Sequence, residues 1–504
     1  MARKHQKSKK KKNFRVIPRS LPLAILMIVL LAVEALFIPL VGVVDLLPGK
    51  YLMAALGVLL LLDILVIWLL NDRSGKKRKK VTGIIIGSIM ILVLGVGGYY
   101  LINTLDTLSK IGNVLQSEKY QVIVLKNGSY EDVEDITGKT VYTVDNNSKM
   151  YKEAKGKLKT AADVTYEDKP DVIAVGEQLI TSKGTEQDNI IFLSESRYRI
   201  VCDEIDGFEE NTKVIYTIKI PMKTNNNASN VDVTEDPFNV YISGSDARGD
   251  IDEVARSDVN MIVTVNPQTH TILLTSMPRD SYVPLHMNGK YDKLTHTGVY
   301  GIDETLDTVE DWLGVESDFY CRVGFNMLVE LVNAVGGVTV HNEQEFHSHP
   351  KGWYYREGDL WLNGRRALWF ARERKSFEDE DEQRIKNQQK VMKALIEKVT
   401  SSKTLVLNYT QILNSIEDYM QTDLSRKNIS KLAKMQLDTM PKWKIITQTI
   451  DGEPTERGTY SMGFERMLFV SIPDEESVEK AKQRIQEVMY PVDKKEDNKK
   501  NGQQ

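Results

Sequence analysis

Three long apolar runs near the N-terminus constrain this 504-residue chain more than any other feature. Residues 21–44 are apolar apart from Glu34, residues 51–70 carry only Asp63, and residues 81–102 carry no charge at all. About 20 apolar residues cross the ~30 Å hydrocarbon layer of a bilayer, so three membrane-spanning helices are expected at about these positions. A cleaved leader does not fit, because the first run is too long and a second span follows at once. The flanks give the orientation. Residues 1–20 hold nine Lys and Arg and residues 71–80 hold six, whereas 45–50 hold one acid and one base. Cytoplasmic loops carry the excess of Lys and Arg. The basic tail, 1–20, and the 71–80 loop are therefore expected in the cytoplasm, and everything beyond about residue 103 outside a multi-pass cell-membrane anchor.

Glu34 and Asp63 fall near mid-depth of neighbouring antiparallel spans. A carboxyl there is costly and usually faces a partner, which predicts a polar contact within the hairpin or with another membrane protein. Gly83 and Gly87 form a small-xxx-small pair suited to close helix packing. Whole-chain composition hides this unit. With 41% hydrophobic and 27% charged residues, the chain is neither collagen-like nor wholly disordered. Its net charge of −4 divides into +12 on residues 1–80 and −16 on the remainder. Acidity of that size gives no support to nucleic-acid binding. Two cysteines, Cys202 and Cys321, make no disulfide framework and read as buried free thiols.

Residues 104–232 read as a small α+β unit, with strands at 120–124, 141–144, 171–175 and 213–220 and short helices such as 158–164. The polar run Thr224–Asp236 reads as a linker or exposed loop. Residues 233–490 alternate strands with helices. Strands are expected at 238–242 and 319–323, with a hairpin of 261–265 and 271–275 through Asn266–His270. Helices are expected at 303–313, 327–335, 362–374 and 383–400, and Gly336–Gly337 should stop the second before strand 338–340. This pattern predicts an α/β fold, a central mixed sheet with helices on its faces. Residues 491–504 read as a disordered polar tail.

The unusual residues of 233–490 are charges isolated beside apolar strands, where α/β proteins place their sites. Asp246 follows the first strand. Arg256 and Asp258 precede the next, Arg279 and Asp280 end a third, and Lys293 begins KLTHTG. Arg372 and Arg374 leave one helix, and Asp381, Arg384 and Gln388 open another. Arginine presents a permanent planar fork to phosphate oxygens. Paired carboxylates suit Mg²⁺, which takes oxygen ligands and often bridges phosphates. Together they would neutralise a pyrophosphate under attack; the competing reading is a set of surface salt bridges. No Walker A loop, G-x-S-x-G elbow or metal-spaced His pair occurs, and the seven His, including His347 and His349, read as loop residues.

The strings VYISGSDARGD, ARSDVNMIVTVNPQTHTILLTSMPRDSYV, LWLNGRRALWFARER and DEDEQRIKNQQKVMKAL resemble the LytR-CpsA-Psr family, most nearly its streptococcal capsular-polysaccharide members. The likeness extends to three N-terminal spans and an accessory domain before the catalytic one. The resemblance implies a phosphotransferase on the outer face of a Gram-positive cell membrane. It would attach capsular polysaccharide from an undecaprenyl-pyrophosphate carrier to peptidoglycan. By motif, Asp246 and Asp258 would hold Mg²⁺, or Mn²⁺ in its place, and either could be the general base. Arg279 would act in catalysis and, with Arg256, Lys293, Arg372, Arg374, Arg384 and Gln388, grip the pyrophosphate. Asp280 and Asp381 would support the arginines. Asn387 departs from the pattern, because many members have Arg there. The resemblance also brings in other capsule-assembly membrane proteins as partners. It leaves open a lipid-pyrophosphate phosphatase and a non-catalytic regulator of capsule synthesis and chain length.

Overall fold

The computed structural model describes residues 16–44, 48–72, 77–111, 116–144, 148–183, 188–222, 228–245, 253–401, 412 and 419–491, with the side chains of 106–111 and 426 left aside. Asp246, the basic residues 1–15 and all but the first residue of the polar tail 491–504 lie outside the described residues.

Contacts divide the chain into two units, the first essentially the N-terminal helices. Helices α1 (Leu21–Val44), α2 (Gly49–Leu70) and α3 (Lys77–Ile111) are each long and apolar enough to cross a membrane. Met27, Leu30, Val66, Leu70, Met90 and Leu94 form their shared core. The Gly83 and Gly87 pair sits at that contact: a Cβ at Gly83 would lie 2.9 Å from the Leu69 Cβ, and one at Gly87 3.6 Å from Leu26 and Val66. Glu34, only 6% exposed, meets the Asp63 carboxyl, which is the polar contact within the hairpin.

The second unit opens with a five-stranded sheet. Its strands are β1 (Gln116–Leu125), β2 (Thr140–Val144), β3 (Thr165–Lys169), β4 (Ile190–Ser194) and β5 (Thr212–Met222), in the order β3-β2-β4-β1-β5. Helices α4 (Lys149–Ala161), α5 (Val172–Thr181), α6 (Glu195–Glu204) and the single turn α7 (Phe208–Asn211) complete it. Tyr120, Tyr151, Phe192, Ile173 and Leu179 lie in its core. The expected strand at 171–175 is the start of α5. Asp171 caps it, accepting from the backbone N–H groups of Ile173 and Ala174, and this local bond outweighs the β-preference of Val172, Ile173 and Val175. Cys202 and Cys321 are free thiols, half-buried rather than buried.

The chain continues through β6 (Phe238–Ser245), β7 (Ser257–Asn266), β8 (Thr271–Met277), β9 (Tyr282–Pro284), β10 (Tyr291–Lys293), α8 (Leu294–Thr297) and α9 (Ile302–Leu313). Then come β11 (Phe319–Gly324), α10 (Phe325–Ala334), β12 (Val338–Asn342), β13 (Phe346–His347), β14 (Tyr354–Tyr355), β15 (Gly358–Leu362), α11 (Gly364–Arg372) and α12 (Glu380–Val399). The last elements are β16 (Met420–Thr422), α13 (Arg426–Thr439), β17 (Lys444–Thr449), β18 (Gly452–Thr459), β19 (Gly463–Pro473) and α14 (Glu475–Met489). Six strands form a mixed sheet in the order β16-β11-β6-β7-β8-β17. Alternate side chains feed opposite cores. Tyr241, Ile262 and Leu273 pack with Leu306 and Val309 of α9 and Val478 and Ile485 of α14. Val240, Met261, Val263 and Leu274 face Met392 and Ile396 of α12. The result is the expected mixed sheet between helical layers. The 266–270 hairpin and the Gly336–Gly337 stop, at φ +79° and +87°, form as the sequence reading has them.

Candidate active site

Strand register assembles the site. In the antiparallel pairing, Asn260 of β7 faces Met277 of β8, and Ser257 faces Ser245 at the end of β6. The start of β7 and the ends of β6 and β8 therefore share one edge of the sheet. That edge carries Arg256, Asp258, Arg279 and Asp280. Helix α8 closes onto it: the Thr295 N–H donates to the Arg279 carbonyl at 2.8 Å, and the Leu294 N–H to the Ser281 carbonyl at 2.9 Å. Gly298 permits this approach, because a Cβ there would lie 2.5 Å from the Ala255 carbonyl oxygen and 2.7 Å from the Ser257 nitrogen.

Two helices supply the remaining charges. Asn363 caps α11, accepting from the Arg366 N–H, and Arg372 and Arg374 fall at its C-terminal end. On α12, Asp381, Arg384 and Gln388 share a face by their spacing of three and four. Asn387 points elsewhere: it is fully buried and donates to the Phe370 carbonyl of α11. The residue at which the sequence departs from the family pattern thus packs two helices together.

These elements enclose a cavity of about 920 Å³. Arg256, Asp258, Arg279, Asp280, Lys293, Arg372, Arg374, Arg384 and Gln388 all line it. Asp381 stands behind them, 3.1 Å from Arg384 Nη2 and 3.9 Å from Arg374 Nη1. Of the predicted site residues, Asp246 alone falls outside the described residues. Arg322 brackets its segment, donating to the Ser245 hydroxyl on one side and to the Glu253 carbonyl on the other.

The cavity's ionic network is tightly paired. Arg279 Nη1 lies 2.8 Å from Asp258 Oδ1 and its Nε 3.5 Å from Asp280 Oδ2, while Lys293 Nζ lies 3.1 Å from Asp280 Oδ1. Burial pushes the Asp258 carboxyl up, but the guanidiniums of Arg279 and Arg256 outweigh it and hold the group below its ordinary value. Burial likewise opposes Arg279 and Lys293 at Asp280, which is held down at about 2. Burial raises the neighbouring Asp381, and its hydrogen bond with Asp280 adds to the rise despite Arg384. Among the described residues, Arg384 Nε is a buried donor without a hydrogen-bond partner. Buried donors are normally satisfied, so the arrangement suits an incoming anion.

Sequence reasoning missed several wall residues. Asp203 of α6 sits 2.5 Å from Arg256 Nη1, so the five-stranded unit contributes a wall through α6 and α7. Phe325 and Trp369 flank the Arg372 guanidinium at 4.3 and 5.4 Å from their ring centroids, a stacking that fixes its orientation. His296, read as a loop residue, belongs to α8, is 5% exposed and lines the cavity. The ARSD and KLTHTG motifs pointed at their Arg, Asp and Lys. Nothing local marked Asp203, which meets Arg256 across 53 residues.

The sequence profile of the LytR_cpsA_psr family matches residues 206–486, more than half of the chain. The chain belongs to the LytR_cpsA_psr family. It is 35% identical over 223 residues to an Enterococcus faecalis protein named polyisoprenyl-teichoic acid–peptidoglycan teichoic acid transferase TagU, across 44% of this chain and 71% of that one. A Bacillus anthracis protein of the same name is 32% identical over 244 residues, 48% of this chain and 79% of its own. Among solved structures, B. subtilis TagV is similar at 26% identity and TM-score 0.42, covering 51% of this chain and 98% of that one. The cavity's charged residues all lie within the family match apart from Arg199, Asp203 and Glu204 of α6.

Proposed function

We propose that this protein is a membrane-anchored phosphotransferase that moves a glycopolymer from a polyprenyl-pyrophosphate carrier to peptidoglycan. The finer reading is capsular polysaccharide carried on undecaprenyl pyrophosphate, with the site on the outer side of the membrane. One observation carries the proposal: Arg256, Arg279, Lys293, Arg372, Arg374, Arg384 and Gln388 converge on one cavity around an ionised Asp258. The relatives' names, which speak of polyisoprenyl-linked polymer and peptidoglycan, support the substrate class. Three spans of suitable length would hold the site near a lipid-linked donor.

Arg279, Arg372, Arg374 and Arg384 would bind the pyrophosphate oxygens and oppose the charge that grows on them as the phosphorus is attacked. Asp280 and Asp381 orient those guanidiniums. An acceptor sugar hydroxyl attacks the phosphorus attached to the polymer's first sugar. The bond from that phosphorus to the bridging oxygen breaks, and polyprenyl phosphate leaves with the electron pair. The Asp258 carboxylate offers only oxygen, which fits Mg²⁺. Asp258, with Asp246, would hold it, and the ion would neutralise phosphoryl charge.

The test is release of polyprenyl monophosphate by the purified full-length protein from a polyprenyl-pyrophosphoryl oligosaccharide, with and without Mg²⁺. Release that needs both Mg²⁺ and Arg372 is expected. Equal release by the Arg372→Ala variant would overturn the assignment of the cavity.

A further inference from the structure

Asp258 is poorly placed to take the acceptor hydroxyl's proton. Its carboxylate is engaged by Arg279 and by the Thr295 hydroxyl at 3.4 Å, and a carboxylate stabilised in its ionised form is a weak base. A second acid–imidazole pair stands beside it. Asp292 is completely buried. Its Oδ1 accepts from the Lys293 N–H at 2.8 Å and the Ser461 hydroxyl at 3.1 Å, and its Oδ2 from the Ser461 N–H at 2.7 Å. The same Oδ1 lies 2.8 Å from His296 Nδ1.

A carboxylate has no proton to donate, so Nδ1 must carry the hydrogen of this bond. That tautomer leaves the ring's lone pair at Nε2. Ser461 Oγ also lies 2.8 Å from Nδ1. Both partners therefore occupy one side of the ring, and this is no nucleophile relay through Ser461. Nε2 makes no hydrogen bond to a described residue, and the ring lines the cavity one position after Thr295, which touches Asp258. A carboxylate that fixes the tautomer of an imidazole lining a reaction space is the arrangement that makes the ring a general base.

We propose that His296 is the general base of the transfer reaction and Asp292 its positioning residue. The inference rests on the transfer reading above. As the acceptor oxygen forms its bond to phosphorus, the hydroxyl proton moves to His296 Nε2. The bond to the bridging oxygen breaks, its electron pair leaves with polyprenyl phosphate, and the imidazolium later returns its proton to solvent. Asp292 stabilises the transient positive charge without itself being protonated.

The experiment uses the full-length protein, a short-chain polyprenyl-pyrophosphoryl disaccharide as donor and a peptidoglycan oligomer as acceptor. His296→Ala should lower kcat by about 100-fold or more, keep donor KM within about threefold and regain part of the rate with added imidazole. Asp292→Asn keeps the ring but reverses its tautomer, and should lower kcat while KM stays constant; it carries the test if His296→Ala does not fold. Wild-type kcat in either folded variant overturns the assignment of His296 and leaves the transfer reading intact. Absence of turnover by the wild-type protein overturns both.

Discussion

Arg279 is the most informative residue to remove, because it spans two carboxylates with its side chain 20% exposed. Arg279→Ala strands Asp258 and Asp280 beside Asp381. Breaking a buried pair by deleting one partner costs ~3–5 kcal/mol. Arg256, Arg384 and Lys293 remain close enough to soften the loss, which places this case at about 3 kcal/mol. For a large unit that is a fall of roughly 6–9 °C in Tm. The loss comes from stranded charge, so neutralising that charge should recover part of it. Arg279→Ala/Asp258→Asn should regain about 1–2 kcal/mol over the single variant. Transfer should stay depressed by ~100-fold or more, because an oxyanion-stabilising donor is still missing. Thermal melts in detergent and initial rates of polyprenyl phosphate release check both halves. A double variant no more stable than Arg279→Ala would refute the reasoning from a buried ionic network. Near-wild-type turnover by Arg279→Ala would refute its role on phosphate.

Acid stability should follow Asp280. Its folded pKa, about 2, lies below the ordinary 3.8, so its contribution of about 2 kcal/mol is present above pH ~4 and lost as pH falls toward 2. Urea midpoints between pH 2 and 6 should fall on the acid side in the wild type and flatten in Asp280→Asn; equal slopes would contradict this. Gly298→Ala should cost ~1–3 kcal/mol by overpacking, since the added Cβ meets the backbone of Ala255 and Ser257. Displacing α8 should lower turnover further than the melt implies, and a variant with wild-type turnover would show that α8 is not fixed by that contact.

Much of this architecture is legible in the sequence because its signals are local. Apolar length marks the three spans, short apolar runs mark β6 to β8, and the Gly336–Gly337 pair marks a helix stop. Asp171–Val175 misleads because a β-branched run follows an N-cap, and the capping bond decides the outcome. At the cavity, isolated Arg and Asp beside strands reveal Arg279, Asp258 and Arg384. Their partners are less visible. His296 depends on Ser461, 165 residues away, and Asp203 reaches Arg256 from helix α6, beside a different sheet. Such pairings arise from strand order, which spacing along the chain does not encode.

The central claim is transfer of phosphoryl-linked glycan to a sugar hydroxyl. Mass spectrometry of the products from a polyprenyl-pyrophosphoryl oligosaccharide and a peptidoglycan oligomer tests it most directly. The account predicts an oligosaccharide joined to peptidoglycan through one phosphodiester, formed in equal amount with polyprenyl monophosphate. Polyprenyl monophosphate accompanied only by free oligosaccharide phosphate would contradict it and identify water as the acceptor.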